Sequence, residues 1–119
     1  MSDTNNLFIR GMFNFAVAFL ANPDMQRRSW SATQGNDFQD FLMMALGEWS
    51  VVEKNPKGYL SDRHFAMTSK LYAMLEEFYD SEKWPTRPAE YQALLGSPEW
   101  RKVQEHAKEV YGTVYPTLR

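Results

Sequence analysis

NDFQDFLMMALGEWSVVEK, residues 36–54, decides the fold class. Phe38, Phe41, Leu42, Ala45, Leu46 and Trp49 recur at intervals of three and four, the spacing that lines one face of an α-helix. Asn36 with Gln39 three residues later resembles a capping box. Asp37 and Asp40 fall in the first turn, where unpaired N–H groups and the helix dipole favour negative charge. The pattern predicts a helix to about Lys54, followed by the turn Asn55-Pro56-Lys57-Gly58 with Pro second and Gly fourth.

Toward the N-terminus, Leu7, Phe8, Ile9, Met12, Phe13, Phe15, Ala16, Val17, Phe19 and Leu20 leave almost no polar face, which is the composition of a helix surrounded by other elements. This segment is expected as the central helix. The run Met12 to Ala21 has the length of a signal-peptide apolar region, but a secretory leader wants a cationic start, and here Asp3 offsets Arg10 and Asn14 interrupts the run. The expectation is therefore a core helix. Pro23 disfavours helical geometry in Asn22 and suits the first turn of a new helix, predicted from Pro23 to about Trp30, with a loop over Ser31 to Gly35.

Toward the C-terminus, Ser61 reads as an N-cap, with Leu60 and Phe65 as a hydrophobic staple across it. Phe65, Thr68, Leu71, Tyr72, Leu75, Phe78 and Tyr79 then mark a helix to about Asp80. A loop with Trp84-Pro85 leads to a short helix from Pro88 through Leu95, where Gly96 is the expected left-handed cap. Ser97-Pro98-Glu99 opens the last helix, whose stripe is Trp100, Val103, Ala107, Val110 and Tyr111, with its end expected at Gly112. No alternating strand pattern, internal repeat or low-complexity segment occurs. The fold expected is all-α, a compact bundle of five or six helices around a central apolar N-terminal helix. A chain of 119 residues suits one domain spanning 1–119.

Composition excludes several functions. With 13 Lys+Arg against 15 Asp+Glu the net charge is −2, and the longest basic runs are the pairs Arg27-Arg28 and Arg101-Lys102. Nucleic-acid binding needs clustered cations that release counterions, so it is not expected. The absence of Cys removes disulfides, thiolate metal sites and a cysteine nucleophile, and fits a cytoplasmic protein. No apolar run is long enough for a membrane span. The six glycines are scattered and Gly-x-Gly never occurs, which excludes phosphate-cradling fingerprints and leaves no cofactor to expect.

Catalytic and metal-binding constellations are equally thin. His64 and His106 are the only imidazoles, and His106-x-x-Glu109 lacks the further ligands a carboxylate-bridged metal site needs. No metal site is expected. A Ser61–His64 nucleophile pair has no third orienting group, and Ser61 is better employed as a cap. An enzyme built on Glu48 or Glu53 with His or Tyr comes last among the function classes, because no spacing selects such a set. No catalytic residue is assigned.

The sequence does hold a candidate binding surface. Glu76, Glu77, Asp80 and Glu82 crowd the final turns of a helix whose terminal carbonyls already carry partial negative charge, an arrangement that is unfavourable unless compensated. One reading relieves them internally through Lys83 and Arg87. The other makes them, with Trp84, a docking patch for a protein partner with a basic surface, since complementary charge speeds encounter and Trp anchors interfaces. The function expected is a small acidic protein-binding module that neutralises or escorts one partner, in the manner of an immunity protein, antitoxin or adaptor. Its alternative is a binder of an apolar small molecule in an inter-helical pocket, for which the seven Met and the aromatics supply lining. A homo-oligomer is the other partner state expected.

Overall fold

Residues 2–20 form one continuous helix, α1, in the computed structural model, which describes residues 2–30, 35–54 and 60–118, with side chains from Leu7 on. It is α-helical over Ser2–Met12, passes through a π turn at Phe13–Val17 and closes as Ala18–Leu20. Ile9, Met12, Phe13, Ala16, Val17 and Leu20 make a fully buried stripe. Opposite that stripe, Leu7 and Phe15 remain 70% and 51% exposed, so the helix is more one-sided than its composition.

Helix α2, Pro23–Trp30, starts where the proline predicts, with the Asn22 side chain accepting the Met25 N–H at 3.1 Å. Helix α3, Asp37–Lys54, buries Phe38, Leu42, Ala45, Trp49 and Val52. The expected Asn36–Gln39 capping box gives way to a tertiary cap. The Phe38 N–H donates to the Tyr91 hydroxyl at 2.9 Å, and that hydroxyl donates to the Gly35 carbonyl at 3.2 Å. The turn at Asn55 to Gly58 and the loop positions 31–34 lie outside the described residues.

Helix α4, Asp62–Ser81, is capped by Ser61, whose hydroxyl accepts the His64 N–H. Helix α5, Pro88–Leu95, follows, and the Glu90 carboxylate accepts the N–H groups of Thr86 and Arg87 at its start. Those hydrogen bonds, with the Thr86 backbone N–H foremost, hold the Glu90 carboxyl below its usual range. Helix α6, Pro98–Val114, is capped by Ser97 through the Trp100 N–H.

One predicted helix end keeps its place with a different geometry, and one moves. Gly96 caps α5 with φ −93°, a right-handed conformation rather than the left-handed one expected, while the left-handed cap belongs to Glu82 after α4, at φ 56°. Gly112 does not end α6, because buried Val110 and Val114 lie on the same face and carry the helix on to a 3₁₀ turn at Tyr115–Thr117.

The described elements are all helical, and their buried side chains form one continuous core. Helix α4 packs between α3 and α6, the second half of α1 lies on α6, and α2 packs on α5. Aromatic rings fill the centre. Trp30 contacts Phe19, Phe38, Tyr91 and Trp100 with centroids 5.1–6.3 Å apart, and Trp49 stacks on Tyr72 at 4.9 Å. No described helix is long and apolar enough to cross a membrane.

Among the described residues Gln26, Thr68 and Gln104 are buried polar side chains, and Gln26 joins the most elements. Gln26 is wholly buried, its Nε2 donating to the carbonyls of Phe19 and Leu20 at 2.7 and 2.9 Å. Its Oε1 accepts Trp100 Nε1–H at 2.8 Å and Gln104 Nε2–H at 2.7 Å. The carbonyls at a helix end have no partner within the helix. Gln26 satisfies two of them for α1 and ties that end to α6.

Candidate functional site

The last turns of α4 place Glu76, Glu77 and Asp80 in solvent, and Glu82 is exposed immediately after them. Neither cation expected to relieve them does so. The Arg87 guanidinium lies 3.5 Å from Glu90, and the Lys83 backbone N–H donates to the Ser81 hydroxyl without its ammonium meeting an acid. Among the described residues, none of the four carboxylates makes an ion pair; the two pairs present are Arg27–Asp24 and Arg87–Glu90.

Glu82 carries a second peculiarity. Its φ of 56° is the one positive value at a non-glycine position among the described residues. A side chain in this region crowds the following carbonyl, which is why glycine is preferred at such caps. The position thus holds a carboxylate where backbone geometry favours none.

Trp84 follows two residues later, half-buried, with its ring centroid 5.7 Å from that of Tyr79. It therefore packs on the core edge rather than projecting freely. Its indole Nε1 is buried and has no hydrogen-bond partner among the described residues, an unusual state for a strong donor. Beside it opens a surface groove of about 460 Å³ lined by Trp84, Pro85, Ala93, Leu94 and Ser97, with Lys83 and Glu90. The structure thus joins the loop after α4 to the α5–α6 corner in one concave feature that follows directly on the acidic turn.

Three further surface cavities of 370–390 Å³ are each lined in part by charged side chains: Lys70, Lys102, Glu105, His106 and Glu109 in one, Arg27 and Arg101 in the next, Lys108 in the last. His106 is half-buried, with Nε2 3.1 Å from the Met67 carbonyl, a local contact between α6 and α4. His64 takes part in the α4 cap through its backbone, and its carbonyl accepts the Thr68 hydroxyl at 2.8 Å. Among the described residues no three His, Asp or Glu side chains gather as metal ligands would.

Two groups already named from the sequence, Glu48 as a candidate carboxylate and Tyr72 on the α4 stripe, have surroundings that the sequence reading did not foresee. Glu48 Oε1 and the Tyr72 hydroxyl are buried without hydrogen-bond partners among the described residues. Burial pushes the Glu48 carboxyl above its usual range, and it pushes the Tyr72 phenol far upward, with the Glu48 charge adding to the effect. A signal existed for Glu48, which falls between Ala45 and Val52 on the apolar flank of α3. Glu53, by contrast, is exposed.

No protein-family model, no curated protein and no solved structure matches this chain.

Proposed function

We propose that this protein is a binding module for a protein partner with a basic surface, docking through Glu76, Glu77, Asp80, Glu82 and the Trp84 groove. The observation that carries the reading is the groove beside Trp84, placed directly after a carboxylate group that makes no ion pair among the described residues. The exposed acids then steer a basic surface into register and select against acidic ones. The left-handed Glu82 supports the same reading, since backbone strain at an exposed acid is explained by use of the acid. The function class is a cytoplasmic neutralising or escorting protein, comparable in role to an immunity protein, antitoxin or adaptor, and no catalytic step is assigned to it. Of the alternatives, the apolar-ligand pocket has no supporting cavity among the four described, since all of them carry charged lining.

The test is affinity capture from lysate of the native host at mild salt, with the wild-type chain and a Glu76→Lys/Glu77→Lys/Asp80→Lys variant as parallel baits. One stoichiometric partner, held by the wild type and lost from a variant of unchanged melting temperature, is the expected result. Equal capture by both baits, or capture by neither, overturns the proposal.

A further inference from the structure

Arg27-Arg28 and Arg101-Lys102, the two basic pairs of the sequence, lie far apart in the chain, and the fold brings the first member of each to one cavity. The cause is buried. Gln26 of α2 accepts the Trp100 indole N–H of α6 at 2.8 Å, and Gln104, one turn further along α6, donates to the same oxygen at 2.7 Å. Arg27 and Arg101 are the next residues after that bonded pair, and both are exposed. Two guanidinium groups thus reach the surface from helices whose spacing a buried hydrogen-bond network fixes.

The cavity has a volume of about 390 Å³ and is completed by Gln92, Leu95 and Gly96 at the end of α5. The groove beside Trp84 and the cavity at His106 each mix lysine with glutamate, whereas this one is lined by cations without an acid. Arg101 makes no ion pair among the described residues. Arg27 does pair with Asp24, one turn back on α2, but both side chains of that pair are largely in solvent, where an ion pair contributes little.

The backbone adds to the same sign. Gly96 directly precedes Ser97, the N-cap of α6, so the cavity lies at the positive end of that helix's dipole. Of the carbonyls that end α5 and oppose this, those of Gln92 and Leu94 accept the N–H groups of Gly96 and Ser97. Glu99, in the first turn of α6, is exposed and does not line the cavity.

We propose that this cavity binds the phosphate monoester of a small organic molecule, with the guanidiniums of Arg27 and Arg101 on either side of the phosphate, the Gln92 amide donating to it and Leu95 against the organic body. Asp24 is the reason for a dianion. A carboxylate or a phosphodiester, with one charge, offers Arg27 only what Asp24 already supplies, whereas a phosphate dianion neutralises both guanidiniums and presents a pair of oxygens to each. Size is the reason for an ester, since the volume is that of a small-ligand site and Leu95 gives an organic body an apolar contact. The site lies on the opposite flank of α5 from the Trp84 groove, which is lined by Ala93 and Leu94, and so is independent of the docking surface.

The test is titration of the full chain, labelled with nitrogen-15, with phenyl phosphate, inorganic phosphate and benzoate at constant ionic strength, following the Gly96 amide by NMR above the second phosphate pKa of about 6. Phenyl phosphate is expected to shift it saturably with a Kd below about 1 mM. Inorganic phosphate and benzoate are expected to bind about tenfold more weakly or worse. Arg27→Gln and Arg101→Gln are each expected to weaken phenyl phosphate about tenfold with the ligand-free melting temperature unchanged, while Arg28→Gln, outside the cavity, leaves the affinity as it was. The absence of a saturable shift up to about 20 mM phenyl phosphate overturns the proposal. So does full affinity after loss of either cavity arginine, or a loss in Arg28→Gln as large as theirs. Benzoate binding as tightly as phenyl phosphate overturns the dianion, and inorganic phosphate doing so overturns the ester.

Discussion

Gln26 closes four hydrogen bonds in a place that water does not reach. Sequence spacing gave no reason to single it out, because a glutamine in a short helix beside Arg27 and Arg28 has the look of a solvent residue. Its value comes from what its removal would leave behind. Gln26→Leu keeps the volume but strands the Trp100 indole N–H, the Gln104 amide and the Leu20 carbonyl, while the Phe19 carbonyl keeps the Asn22 N–H, so a loss of about 2–4 kcal/mol is expected in urea unfolding. A loss below about 0.5 kcal/mol would contradict the account of this network, being the size of an ordinary surface substitution. Glu48 offers the opposite case. Burial raises its carboxyl pKa in the folded state, so the native protein holds that proton more tightly than the unfolded chain does. Its contribution to stability is therefore most favourable below the ordinary carboxylate range and declines as pH rises through the folded pKa. Glu48→Gln should raise the melting temperature at pH 7, and the gain should vanish by about pH 3, where the protonated acid and the amide are equivalent. An equal gain at both values would show that charge is not the cause.

At the scale of elements, capping chemistry was the most legible part of the chain. Ser61 and Ser97 perform as N-caps, and Pro23, Pro88 and Pro98 stand at the first positions of α2, α5 and α6 as the sequence predicts. These signals are local, acting within three or four residues. The C-terminal ends were less legible. Gly96 does close α5, in a right-handed conformation, while the left-handed position belongs to Glu82 and α6 runs past Gly112. Glycine permits a helix end without requiring one. Glu82→Gly relieves the positive-φ cost and should stabilise the fold by about 1 kcal/mol, raising the melting temperature by roughly 4 °C. The same substitution removes a docking carboxylate and should weaken partner capture. A variant more stable and equally competent would place Glu82 outside the docking surface.

At the scale of the whole molecule, the proposed docking surface is built on the end of α4 with the α5–α6 corner. The acidic group was legible because like charges at a helix C-terminus are unfavourable by rule. Its missing cations were not, since Arg87 turns to Glu90 in its own capping arrangement. Nor was the groove beside Trp84, which needs α5 and α6 folded back against the loop. The sequence by itself determined an all-α chain, where most of its helices start, and the inward stripes of α3, α4 and α6, because helical periodicity and capping act over a few residues. Tertiary structure alone decided that Tyr91 closes the start of α3 from 53 positions away, that Gln26 meets Trp100 across 74, and that Leu7 and Phe15 of an apolar helix remain outside. Spacing along one helix says which side chains share a face. Which face is covered, and by what, depends on elements distant in the chain.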